Sequence, residues 1–97
     1  MTQITQQENK WRISGDILMD NANVILGESR ELQMHDALEI DLVAVTNLDT
    51  AALSLIMELQ RRALSANCQL TFANLPVNLV SLAELYGVHE FIPQAQT

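Results

Sequence analysis

LEIDLVAVTNLDTAALSLIM, residues 38–57, is the stretch that decides the architecture. Residues 38–45 predict a strand. Leu38, Ile40, Leu42 and Ala44 face one way, and Val43 and Val45 face the other. Both faces are therefore largely covered, as in a central strand between layers. The strand runs into the turn Asn47-Leu48-Asp49-Thr50, where a helix starts at once. Asp49 is then a good N-cap for a helix over residues 50–66. At about 100° per residue, Ala52, Leu55, Ile56, Leu59 and Ala63 fall on one stripe, the core face of that helix. A buried strand running into an amphipathic helix is the building unit of an α/β domain.

Working toward the N-terminus, Trp11, Ile13, Gly15 and Ile17 alternate with Arg12, Ser14 and Asp16, the period of a half-buried strand over residues 11–18. Asp20 offers an N-cap for a weakly patterned helix over residues 21–34, with Ala22, Ile25 and Leu32 toward the core. Gly27 lies inside it at a cost of about 1 kcal/mol relative to Ala. Residues 1–10 carry little apolar content beyond Ile4 and read as a frayed end or a short edge strand. Toward the C-terminus, residues 69–73 form a strand with Leu70 and Phe72 inward. Asn74 can cap a third helix with Pro76 in its first turn. Leu79, Leu82, Ala83 and Tyr86 follow helical spacing. Gly87 ends that helix as a C′ residue, and residues 88–92 are expected to add a short last strand. The order predicts an α/β fold, a mixed and mostly parallel β-sheet flanked by α-helices. Residues 1–97 read as a single domain with a core over about 11–92, and 1–10 and 93–97 as terminal segments. No linker, repeat or low-complexity tract interrupts it.

Composition narrows the function classes. In 97 residues, 48% are hydrophobic and mean hydropathy is +0.10, so the chain is globular in character. The net charge of −7 and pI near 4.4 argue against nucleic acid, which is bound by clusters of Lys and Arg. The same balance disfavours an anionic membrane surface. It fits solubility or steering toward a basic partner. A single cysteine, Cys68, allows no internal disulfide and suits a reducing compartment. The N-terminus has neither the basic nor the apolar region of a signal peptide, and no apolar run approaches the roughly 20 residues that span a bilayer. A cytoplasmic protein is expected.

Thr50 is the only hydroxyl at the start of the helix over 50–66. The first N–H groups of a helix lack intrahelical partners, and the helix dipole is positive there. Thr50 is placed either as a plain helix-start residue or as a phosphoacceptor or contact residue. The helix face opposite the core stripe carries Thr50, Ser54, Arg61 and Ser65. Leu53, Met57 and Leu64 flank it and fit either a protein contact or cover by a neighbouring element. Asp41 and Asp49 make a candidate carboxylate pair near the carboxyl end of one strand, but no His or Cys is near in sequence to complete a metal site. Asp49 is better read as a cap. His35 and His89 sit near element ends. Cys68 has no adjacent basic residue to lower its pKa and reads as a half-buried bystander. No nucleophile–base order and no phosphate-cradling glycine loop is present. Neither an enzyme nor a cofactor or metal site is expected.

Three segments together resemble the STAS domain family, named from sulfate transporters and anti-sigma factor antagonists. They are Ile13-Ser14-Gly15-Asp16-Ile17, Ile40-Asp41-Leu42 and Leu48-Asp49-Thr50-Ala51-Ala52-Leu53. The likeness runs over about residues 11–92. In anti-sigma antagonists the turn typically reads Asp-Ser-(Ser/Thr)-Gly, with the serine phosphorylated by a partner kinase. Here it reads Asp49-Thr50-Ala51-Ala52. Such antagonists also usually carry a further C-terminal helix, where this chain stops soon after Pro93. The threonine after aspartate, and Ser81-Leu82-Ala83-Glu84-Leu85-Tyr86-Gly87, are more similar to the small STAS subunits of Mla-type phospholipid ABC transporters. That resemblance implies a non-catalytic subunit bound to the cytoplasmic ATPase, and through it to the permease, at the inner membrane. The transporter maintains outer-membrane lipid asymmetry. It implies a contact face of Thr50, Leu53, Ser54, Met57 and Arg61. The alternative is an antagonist whose partner is an anti-sigma serine kinase and whose phosphoacceptor is Thr50.

Overall fold

The computed structural model describes residues 3–34 and 36–94. Five strands and three helices follow in the order β1 (Gln3–Gln7), β2 (Lys10–Ile17), α1 (Ala22–Ser29), β3 (Ala37–Asp41), β4 (Val45–Leu48), α2 (Thr50–Ser65), β5 (Gln69–Ala73) and α3 (Val77–Leu85). The sheet runs β1-β2-β3-β5, and β4 pairs with β2. Only the β1–β2 pair is antiparallel; β2–β3, β2–β4 and β3–β5 are parallel. This is the mixed, mostly parallel sheet flanked by helices that the alternation predicts. β1 realises the edge strand anticipated within residues 1–10; the terminal segments at residues 1–2 and 95–97, and His35, lie outside the described residues.

The core is aliphatic around two aromatic side chains. Trp11, Ile13, Ile17, Ile40 and Phe72 from the sheet meet Ile25 of α1, Ala52, Ile56 and Leu59 of α2, and Leu79 and Ala83 of α3, all nearly solvent-free. α2 is the central helix, packed against α1 on one side and α3 on the other. Its whole predicted stripe is buried.

The strand expected over 38–45 is two strands. The carboxylate of Asp41 accepts the N–H of Val43 at 2.9 Å, and Val45 N–H reaches back to Leu42 O at 3.1 Å. A side chain that takes up a nearby backbone donor favours a turn over a continued ladder. Val43, expected to be covered, is 58% exposed in this turn. The chain re-enters the sheet as β4 beside a different stretch of β2. Gly15 makes the exchange possible: its φ of 92° is left-handed, and its N–H bonds Ala44 O at 3.0 Å. β2 pairs with β3 before this point and with β4 from it onward, with a register shift between Gly15 and Ile17.

Four further expectations are corrected. α1 ends at Ser29, not near residue 34, because Arg30, Glu31 and Leu32 each bond three residues back in a tightened last turn. Its N-cap position is Asn21, not Asp20; the Asn21 amide accepts from Leu18 N–H and donates to Asp16 O, holding the incoming loop. Pro76, not Asn74, occupies the cap position of α3, since Asn74 takes a φ of 57° and turns its amide to Asp41. Residues 88–92 are not a strand. His89–Phe91 is a short 3-10 turn, and pairing to β5 is displaced to a bridge between Phe72 and Gln94.

Gly87 ends α3 as predicted. Its φ is 71°, its N–H bonds Glu84 O at 3.1 Å, and Val88 N–H bonds Ala83 O at 2.8 Å, the pair of bonds that closes a Schellman motif. A Cβ there would meet nothing within 4 Å, so Gly87→Ala costs backbone strain alone. The expected loss is about 1 kcal/mol, measurable by urea denaturation.

Candidate partner-binding face

The site is built around the β4–α2 turn. Asp49 stands in an extended conformation just before α2, and its Oδ1 accepts the N–H of Ala51 at 2.8 Å, as a helix cap does. Its Oδ2 accepts the N–H of Met19 at 3.0 Å, while its own N–H bonds Ile17 O at 3.2 Å. One carboxylate thus caps α2 and ties its start to the β2–α1 loop. Asp16 reinforces the tie by accepting from Thr46 Oγ1 at 2.7 Å and Asn47 Nδ2 at 3.1 Å. The Thr46 bond first, then the Asn47 bond, holds the Asp16 carboxyl below its ordinary pKa. Asp49→Ala removes the cap and the Met19 link together. A loss of about 1–2 kcal/mol in thermal or urea unfolding is the expected result.

Because Asp49 does the capping, the Thr50 side chain stays at the surface. Ser54, one turn on, is also exposed, and the two hydroxyls form a ridge with a groove on each side. Toward α1 the groove holds about 670 Å³ and includes Met19, Asn23, Thr50 and Ser54 in its lining. Toward the end of α3 it holds about 470 Å³, between Thr50, Leu53, Ser54 and Met57 on α2 and Tyr86 and Val88 opposite. Leu53, expected to flank an exposed face, is only 8% exposed and forms the floor of that groove, and Met57 is half-buried beside it. Arg61 is exposed, held by a two-pronged pairing of its guanidinium with Glu58. Leu64 is 80% exposed toward the far end of α2, outside both groove linings.

Tyr86 is a residue that spacing assigned wrongly. Helical periodicity put it inward, yet it is 59% exposed. The signal was available in Gly87, which places Tyr86 at the C-cap, where the helix and its periodicity end. Met19 and Val88 were also missed, since each reaches the grooves from a loop.

The remaining candidates fall elsewhere. Asp41 and Asp49 stand on different strands' ends with separate partners. Asp41 is buried and accepts from Asn74 Nδ2 at 3.0 Å, Val43 N–H at 2.9 Å and Arg12 Nη2 at 3.2 Å. Burial alone would raise its pKa, but these three bonds outweigh it and hold the carboxyl below its usual range. Asp41 is thus a structural anion that joins β2, β3 and the loop after β5. Cys68 is buried, and that burial, followed by the nearby Asp36 charge, pushes its thiol pKa up, away from nucleophile chemistry. Among the described residues no group of three or more His, Cys, Asp or Glu side chains is placed to hold a metal, and no helix is long and apolar enough to cross a membrane.

This fold and this turn define a STAS domain. The family model described as "Mlab, STAS domain" matches residues 1–93, and the chain belongs to that family. No curated protein sequence matches it significantly. Among solved structures, it is similar to a candidate anti-sigma factor antagonist of Thermotoga maritima (TM-score 0.78, 10% identity, 99% of this chain and 86% of that one). It is similar also to an anti-sigma factor antagonist from Mycobacterium paratuberculosis (0.74, 20%, 100% and 86%). A third is the anti-sigma factor antagonist SpoIIAA in its unphosphorylated form (0.72, 10%, 99% and 89%). At these identities the structural likeness speaks for the fold.

Proposed function

We propose that this STAS domain is a non-catalytic binding subunit. In this reading it docks on the cytoplasmic ATPase of an Mla-type phospholipid ABC transporter through Thr50, Leu53, Ser54, Met57 and Arg61, and so lies at the inner membrane through its partner. The observation that carries the reading is the Thr50–Ser54 ridge. Both of its hydroxyls are exposed, Asp49 rather than Thr50 caps the helix, and an apolar groove floored by Leu53 and Met57 runs alongside. Apolar ground beside exposed hydroxyls suits a protein contact, in which hydrogen bonds set the register and apolar burial supplies affinity. The family match to an Mlab description and the threonine at position 50 support the ATPase as partner.

A second reading, an anti-sigma factor antagonist switched by phosphorylation of Thr50, is favoured by the structural neighbours and by the exposure of the Thr50 hydroxyl at a helix start. Affinity purification of the tagged protein from its native cells, followed by mass spectrometry, separates the two. The first predicts an ABC ATPase together with its permease. Recovery of a serine kinase, with phosphate on Thr50, would replace it by the second.

A further inference from the structure

The contact face around Thr50 is short of exposed apolar surface. Leu53 is almost covered and Met57 half-buried, while Thr50, Ser54 and Arg61 end in polar groups. A specific interface covers about 800 Å² on each partner and takes most of its affinity from a few large side chains, aromatics above all. Side chains of that kind stand beside the face. Tyr86 is 59% exposed, Phe91 62% and Leu64 80%.

One flank of α2 joins them. At about 100° per residue, Leu53, Met57, Gln60 and Leu64 fall within about 60° of one another. The row is about 16 Å long, or three turns. Tyr86 and Val88 stand opposite its first two members across the 470 Å³ groove. Gln60 ties its next turn to the 3-10 turn after α3, because its Nε2 donates to Phe91 O at 2.7 Å. Leu64 ends the row one turn further on. The backbone under Tyr86 is fixed, since its N–H bonds Leu82 O at 3.0 Å and the Gly87 stop follows at once. An aromatic side chain on a fixed backbone loses little freedom on binding. None of the six residues lining this groove is charged, whereas the α1-side groove contains Arg30 and Glu58.

We propose that the band formed by Tyr86, Leu53, Met57, Phe91 and Leu64 is the apolar half of the Thr50 interface, and that the ATPase fills its groove with an uncharged aliphatic or aromatic side chain. The inference rests on the reading of Thr50 as an ATPase contact. Leu53 and Met57 assign the occupant. They floor the groove and also belong to the Thr50 face, so a body seated on the ridge meets Tyr86 across the same groove. The hydroxyls of Thr50 and Ser54 then set the register, and the aromatic side chains supply the affinity. A charged anchor would lie unpaired in this groove and lose its water. A second copy of the chain is the poorer occupant, because each copy carries a net charge of −7 and the two repel.

Titration calorimetry of the full chain with the purified ATPase tests the proposal. Tyr86→Ala and Phe91→Ala are each expected to weaken binding about tenfold or more, and Leu64→Ser about threefold. Val24→Ala is the control: Val24 is 60% exposed on α1, outside the band, and its variant binds as the wild type does. All four side chains are exposed, so the free variants keep their melting temperatures; if one aromatic variant loses its transition, the other and Leu64→Ser carry the test. Suppose Thr50→Glu weakens the ATPase while Tyr86→Ala and Phe91→Ala bind in full. The band is then overturned and the Thr50 reading stands. An ATPase that fails to bind the wild type overturns both. A wild-type chain that sediments as a dimer, and as a monomer after Tyr86→Ala, gives the band to a second copy and overturns the proposal.

Discussion

Thr50→Glu is expected to lower affinity for the partner at least about tenfold, roughly 1.4 kcal/mol, while the free domain keeps its melting temperature. Two opposite effects of the same charge produce this split. In the free domain position 50 is exposed and in the first turn of α2, which carries no acidic residue of its own. A carboxylate there is mildly favourable, by about 0.3–1 kcal/mol, because the helix dipole is positive at that end. In a complex the same carboxylate is pressed against a partner without a matching cation and loses its water, a far larger penalty. Thr50→Ser keeps the hydroxyl and should bind nearly as the wild type. Titration calorimetry with the purified ATPase, beside differential scanning calorimetry of each free protein, reads both effects. Full affinity of the Thr50→Glu protein would sink the contact-face reading.

Asp41→Ala should cost about 2–3 kcal/mol, because it strands donors that the carboxylate serves at once: the Asn74 amide, the Val43 N–H and the Arg12 guanidinium. The less disruptive Asp41→Asn isolates the charge. The folded-state pKa of Asp41 is lowered relative to the unfolded chain. Its contribution is therefore fully present above the unfolded value of about 3.9 and is lost as pH falls through the folded value. Urea unfolding at neutral pH should separate wild type from Asp41→Asn, and the gap should close progressively below about pH 4. A gap that persists unchanged in acid would show that shape, not charge, is what Asp41 supplies.

Both results turn on features with different legibility in the sequence. The start of α2 was readable because capping is local: Asp49 caps whatever α2 packs against, and Ala52, Leu55, Ile56, Leu59 and Ala63 lie on one stripe by helical geometry alone. The break at Asp41 was not readable from alternation. Val43 and Val45 continue an apolar pattern through the turn, and the turn depends on a side chain held by Arg12 from another strand and Asn74 from another loop. α1 was overextended for a related reason. Its apolar residues continue to Leu32 and Met34, but its hydrogen bonding tightens after Ser29, whose hydroxyl bonds back to Leu26 O and receives Arg62 of α2.

The sequence by itself determined the three helices and the strands β2, β3 and β5 in their order, the Asp49 cap, the Gly87 stop and the surface position of Thr50, because each follows from patterns and bonds within a few residues. Only the tertiary structure decided that Leu53 is a groove floor, that Tyr86 and Met19 border the ridge, and that Arg62 of α2 reaches across to Ser29 at the end of α1. Those depend on α2 lying between α1 and α3, which is set by how the buried faces of all three helices share one sheet, and no local pattern encodes such a sharing.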